Sequence, residues 1–139
     1  MSLTRSPPGD AVPTGARAIV LLAHGSRDPA WTQSVQNIAD RVRAAAAPGT
    51  EVCCAYLEHT QPSLEATFER LAAAKIEFAR VFPLFIGMGH HLRSDIPERL
   101  RALHGRFPAL QVELLPAAGE NAAILQALAQ QALAPAALE

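Results

Sequence analysis

Three short stretches of this chain carry side chains that hold cations or move protons. His24 stands in His24-Gly25-Ser26-Arg27-Asp28, Glu58 in Leu57-Glu58-His59, and His90 and His91 in Gly87-Met88-Gly89-His90-His91. Two imidazoles and a carboxylate suit a first-row divalent metal such as cobalt, nickel, iron or zinc. No thiolate belongs to the set. Cys53 and Cys54 are adjacent, belong to no CxxC pattern, and as neighbours on a strand point to opposite faces. They read as small buried hydrophobes in a reducing compartment, the cytoplasm. Without thiolates the set is not a structural zinc site, and open coordination positions suit a metal that is passed on. His59 and His104 read as polar surface residues, His104 near a helix end where the dipole favours a cation.

An anion site is the competing reading of the first stretch. His24-Gly25-Ser26-Arg27 follows an apolar run and precedes a helical one, so its backbone N–H groups could hold a phosphate or a flavin. The chain has no GxGxxG and no P-loop lysine. A histidine phosphatase would place arginine directly before the His-Gly pair, and Ala23 is there instead.

The metal reading requires elements that bring the three stretches together. Ala18 to Ala23 is a continuous apolar run, the mark of a strand covered on both faces. Trp31, Val35, Ile38 and Val42 give a helical stripe within 30–47, stopped by Pro48-Gly49. Val52 to Leu57 reads as the second strand, with Pro62 in the first turn of the next helix and Leu64, Phe68 and Leu71 as its stripe. Ala79 to Ile86 reads as the third strand, with Pro83 as an irregularity at a bulge or a missing ladder partner. Ser94 or Asp95 caps a helix over about Ile96 to Leu103. Leu110 to Leu115 is the fourth strand, and Gly119-Glu120-Asn121 leads into a last helix ending at Leu133. This alternation predicts an α/β fold: a four-stranded parallel sheet, order 2-1-3-4, with helices on both faces and flavodoxin-like wrapping. In such sheets ligands bind beyond the carboxyl ends of the strands, near the reversal of strand order. His24, Glu58 and His91 all follow strand ends, and that shared position is what raises them above ordinary polar loop residues.

Length and composition bound the rest. The chain has 139 residues, 50% of them apolar and 18% charged, enough for one core and too apolar for an intrinsically disordered chain. Residues 1–15 read as a flexible tail and 16–135 as one domain. Met1 to Gly15 holds Pro7, Pro8 and Pro13 and lacks the apolar segment of a secretory signal. No apolar run approaches the ~20 residues of a membrane span. Twelve basic against 13 acidic residues, a formal net charge of −1, gives no basic surplus for nucleic acid.

With these motifs in order, the chain resembles the sirohydrochlorin chelatases of the CbiX type, class II chelatases of the cobalamin and sirohaem routes. The resemblance rests on Leu22 to Asp28, on Ala55 to Glu58 with Gln61 to Leu64, and on Pro83 to Ile86 with Gly89, His91 and Asp95-Ile96-Pro97. It runs from about Ala18 to Leu133. It implies insertion of a divalent metal, Co2+ or alternatively Fe2+ or Ni2+, into sirohydrochlorin without a nucleotide. His24 and His91 would be the metal-binding histidines, with Glu58 as the carboxylate between them and His90 in an auxiliary position. The macrocycle's carboxylates would meet Arg27 and Arg93, and its apolar face would meet Leu57, Phe85, Ile86, Met88 and Leu92. The longer members hold two such domains, so the short form implies a homodimer. His59 departs from the pattern, which has a small or apolar residue there. A non-catalytic metal or tetrapyrrole carrier with the same site is the alternative.

Overall fold

In the computed structural model, which describes residues 15–135, strands and helices alternate. Strands β1 (Arg17–Ala23), β2 (Glu51–Tyr56), β3 (Phe78–Pro83) and β4 (Gln111–Leu114) are linked by α1 (Pro29–Ala45), α2 (Leu64–Ala73) and α3 (His90–Arg106). A 3-10 turn over Ala118–Glu120 leads into α4 (Ala122–Leu133). The strands form one parallel sheet in the order β2-β1-β3-β4, as the alternation predicts. The tail expected for residues 1–15 lies, apart from Gly15, outside the described residues.

β1 is central to the sheet: Leu21 is in register with Cys54 of β2 on one side and Phe82 of β3 on the other. Its side chains alternate between two cores. Ala18, Val20 and Leu22 pack with Leu64, Phe68 and Leu71 of α2 and with Ile96, Leu100 and Leu103 of α3. Leu21 and Ala23 pack with Val35 and Ala39 of α1. A strand covered on both faces has no polar side, which is why β1 reads as an unbroken apolar run. Cys53 and Cys54 divide between the two cores as neighbours on a strand must. Burial pushes the Cys53 thiol up to about 11 and raises that of Cys54 as well.

Several boundaries differ from the sequence expectation; the second strand, for instance, ends at Tyr56 rather than Leu57. The third strand does not run to Ile86; it ends at Pro83. The last register pair with β4 is Val81 with Leu114, so Pro83 stands where the outer ladder has already ended. On the β1 side the ladder closes one residue later, Leu84 N–H donating to the Leu22 carbonyl at 2.8 Å. Pro62 is not in the first turn of α2, because Ser63 is the N-cap, its hydroxyl accepting from Ala66 N–H at 3.0 Å. The third helix is not capped by Ser94 or Asp95. Gly89 is its N-cap, and Pro97 lies within the helix. The helix tolerates a proline that removes one backbone donor because Ile96, Leu100 and Leu103 anchor it in the core. The fourth strand is shorter than 110–115, covering Gln111–Leu114.

Candidate functional site

All three chemistry-bearing loops leave the carboxyl edge of the sheet around β1, where strand order reverses. Backbone bonds join the first two. Leu57 N–H donates to the Ala23 carbonyl at 3.1 Å and Glu58 N–H to the His24 carbonyl at 3.0 Å, extending the ladder past both strand ends. Gly25 follows with φ of 103°, and a Cβ there would fall 1.7 Å from the Glu58 carbonyl oxygen, so only glycine fits. The Thr60 hydroxyl accepts from Ser26 N–H at 2.9 Å and donates to the Ser26 carbonyl at 2.7 Å. Between Glu58 and Thr60 the chain reverses tightly. Thr60 N–H donates to the Glu58 carbonyl at 2.8 Å across His59, whose φ is 63°. A three-residue turn with a positive central φ is a strained form.

This scaffold sets His24 Nε2 3.2 Å from Glu58 Oε1, with His59 Nε2 3.6 Å from the same oxygen. The His24 ring also meets Phe85 edge-on, centroids 6.2 Å apart at 81°. Phe85 is buried, so it serves the core and walls the histidine at once. The side chains of His24 and Glu58 are each 51% exposed, and a polar contact that open contributes at most about 1 kcal/mol. The backbone stitching, rather than the pair itself, holds the loops. A separation of 3.2 Å suits a hydrogen bond. It also suits two donors on one cation, since ligands about 2.1 Å from a metal at a right angle lie roughly 3 Å apart.

His90 and His91 are the first two residues of α3 and are exposed. Neither makes a side-chain hydrogen bond or ion pair with His24 or Glu58, and no three His, Cys, Asp or Glu side chains form a metal-holding group among the described residues. The structure therefore brings His24 and Glu58 together and presents His91 from a separate element. Met88 and Arg93 line a cavity of about 290 Å³ between α3 and the loop after β4, which also includes Glu120. Arg93 Nη1 lies 2.8 Å from Glu120 Oε1. Arg27 is exposed on the other side of the site, next to the start of α1. Leu57, Met88 and Leu92 are partly buried against the core, whereas Ile86 is 71% exposed.

Sequence reasoning placed His59 on the surface, where it is, but did not see that its Nε2 lies 3.6 Å from Glu58 Oε1, and it gave no role to Thr60 or Glu120. Nothing in the sequence marks Thr60 as the clamp between loops 34 residues apart. His104 lies in the last turn of α3 as expected, but half-buried rather than on the surface, its Nδ1 donating to the Leu110 carbonyl at 3.0 Å.

Comparison with known proteins places the fold in a family. The CbiX family model matches residues 18–134. A sirohydrochlorin cobaltochelatase of Methanothermobacter thermautotrophicus is 33% identical over 82 residues, 59% of this chain and 56% of that protein. A sirohydrochlorin ferrochelatase of Priestia megaterium is 29% identical over 96 residues, 68% of this chain and 35% of that protein. The chain spans little more than half the length of the cobaltochelatases it matches first. Among solved structures, a CbiX protein of Marinobacter aquaeolei VT8 superposes with a TM-score of 0.73 at 28% identity, over 84% of this chain and 93% of that one. The matched span takes in all of the sheet but Arg17 and all three strand-end loops, and this chain belongs to the CbiX family.

Proposed function

We propose that this chain is a sirohydrochlorin chelatase that inserts a divalent metal into the macrocycle without a nucleotide. The observation that carries the reading is the His24–Glu58 pair, 3.2 Å apart and open to solvent at the strand-order reversal. Metal insertion exchanges two pyrrole N–H protons for one cation. A base must reach those nitrogens directly or through one water. Glu58 is that base, and it shares the incoming metal with His24. His91 supplies a further imidazole from the start of α3, with His90 auxiliary. Neutral imidazole replaces water on the hydrated cation, so the ligands bind only when deprotonated. Met88 offers an apolar edge to the ring, and Arg27 and Arg93 meet its carboxylates.

Cobalt is the metal we assign, in cobalamin biosynthesis in the cytoplasm, on the strength of the cobaltochelatases among the relatives. Iron is the alternative, favoured by the ferrochelatase of Priestia megaterium. First-row cations share these donors, so the ligand set alone does not choose between them. The short chain acts as a homodimer whose two rims face one cleft. The test is anaerobic incubation with sirohydrochlorin and Co2+, Fe2+ or Ni2+, following the absorption change. Accelerated insertion that falls more than about tenfold in both His24→Ala and His91→Ala, with unchanged thermal unfolding, is the expected result. Binding without acceleration would make the protein a carrier instead.

A further inference from the structure

Parallel sheets are ordinarily covered on both faces, and half of one face of this sheet is bare. On β3, Ala79 and Val81 are fully buried against α2 and α3. Alternation turns Phe78, Arg80 and Phe82 to the opposite face, where each is only half-buried. α1 occupies that opposite face over β1 and β2, packing on Leu21, Cys54 and Tyr56. No described element packs closely over β3 and β4 beside it. Arg80 on this bare half is matched by Glu113 of β4, its Nε 3.3 Å from Oε1, so a neutral surface can cover the pair without stranding a charge.

The last helix does not supply the cover. Every residue of α4 except Ile124 is exposed, and the helix packs against little but the 3-10 turn before it. Its composition is that of a covered helix. It carries no charge, and Ile124, Leu125 and Leu128 form an apolar stripe with Gln126 and Gln130 on the far side. The two leucines are each 46% exposed. A helix of 12 residues is marginal in water by itself, so this one needs a packed face. Its own sheet is out of reach. The 3-10 turn is fastened at the rim, Gly119 N–H donating to the Phe85 carbonyl at 2.8 Å and Glu120 Oε1 lying 2.8 Å from Arg93 Nη1. Asn121 alone joins that turn to the helix, and its side chain caps the helix by accepting from Ala123 and Ile124 N–H at 3.0 and 3.1 Å. With no linker between them, folding back would give up the cap or the turn.

We propose that two copies of the chain exchange this helix, α4 of each lying across the open β3–β4 face of the other. One chain carries both an uncovered neutral helix and an uncovered neutral sheet face, and a two-fold contact satisfies both at once and closes on itself. The area suffices. A 12-residue helix is about 18 Å long and 10–12 Å across, so one of its faces and the strands beneath each lose about 300 Å². Two such contacts total roughly 1,200 Å², the lower end of specific, stable interfaces. The proposal rests on the two-copy reading above and names its surface; it uses none of the metal chemistry. Isotope-filtered NOE spectroscopy on labelled and unlabelled chains equilibrated together tests it. The Leu125 and Leu128 methyl groups should show contacts to the Phe78 and Phe82 rings that arise only between copies. Leu125→Glu combined with Leu128→Glu removes the stripe while leaving the core of the single chain untouched. Light scattering should then give one chain mass of 14.8 kDa instead of two, the dimer Kd rising by about 100-fold or more. Contacts confined to one chain, or a double variant that stays as dimeric as wild type, overturn the exchange. A wild-type dimer lacking these contacts overturns it and leaves the two-copy reading standing, whereas a wild-type monomer removes both.

Discussion

Glu58 lies between two imidazoles, His24 Nε2 at 3.2 Å and His59 Nε2 at 3.6 Å from one of its oxygens. Its shape and its charge have separable consequences. Glu58→Gln keeps the shape and removes the ability to take a proton. Insertion should fall by about 100-fold, the usual size of a lost general base, while sirohydrochlorin binding measured by fluorescence quenching stays near wild type. Equal losses in both measurements would make Glu58 a contact residue rather than a base. His59 was not legible in the sequence as a partner of Glu58, because nothing in residue type or spacing announces a turn with φ of 63°.

At the scale of elements, close backbone approach and inter-helix ion pairs set the geometry. Gly25 packs its Cα against the Glu58 carbonyl at positive φ. Gly25→Ala should destabilise the protein by about 2 kcal/mol or more in urea unfolding, and should abolish insertion because the His24 and Glu58 loops separate. On the opposite face, α2 and α3 are joined by Glu65 and Arg99, with two hydrogen bonds of 2.8 Å. Those bonds to Arg99 hold the Glu65 carboxyl below its ordinary range. A depressed carboxylate pKa stabilises the fold fully above the unfolded value, near ~4.3, and loses that contribution as pH falls through the folded value. Glu65→Gln should therefore cost roughly 0.5–1 kcal/mol at pH 7 and almost nothing at pH 3, read from urea midpoints at both values. A cost that is the same at both would mean the pair contributes packing alone.

For the whole molecule, the proposed chelation raises the question of how one rim would enclose a macrocycle. The described elements leave the His24 and Glu58 side chains half exposed. Large-ligand pockets form readily at interfaces between domains, and a two-fold contact is the simplest way for one chain to supply the second wall. Light scattering should give twice the chain mass of 14.8 kDa at micromolar concentration. A fully active monomer would remove the shared cleft while leaving the chemistry of the rim intact. α4 is a further feature of the surface: it carries no charged residue, buries none of its side chains, and leaves Leu125 and Leu128 46% exposed.

The sequence by itself determined the alternation of strand and helix, hence a parallel sheet, and the positions of His24, Glu58 and His91 after strand ends. The apolar run of β1 has the composition of a strand buried on both faces, and a chain that alternates strand and helix has few ways to cover it. Periodicity and residue type are local properties, and the features they encode were legible. Whatever depends on two distant segments meeting was decided by the tertiary structure. The clamp of Thr60 on Ser26, the contact of His59 with Glu58, the pairing of Arg93 with Glu120 and the start of α3 at His90 were decided there. The Thr60 clamp and the Arg93–Glu120 pair join segments that no short window of sequence contains together, whereas the contact of His59 with its neighbour Glu58 depends on the positive φ of a tight turn and the start of α3 on how that helix seats in the core.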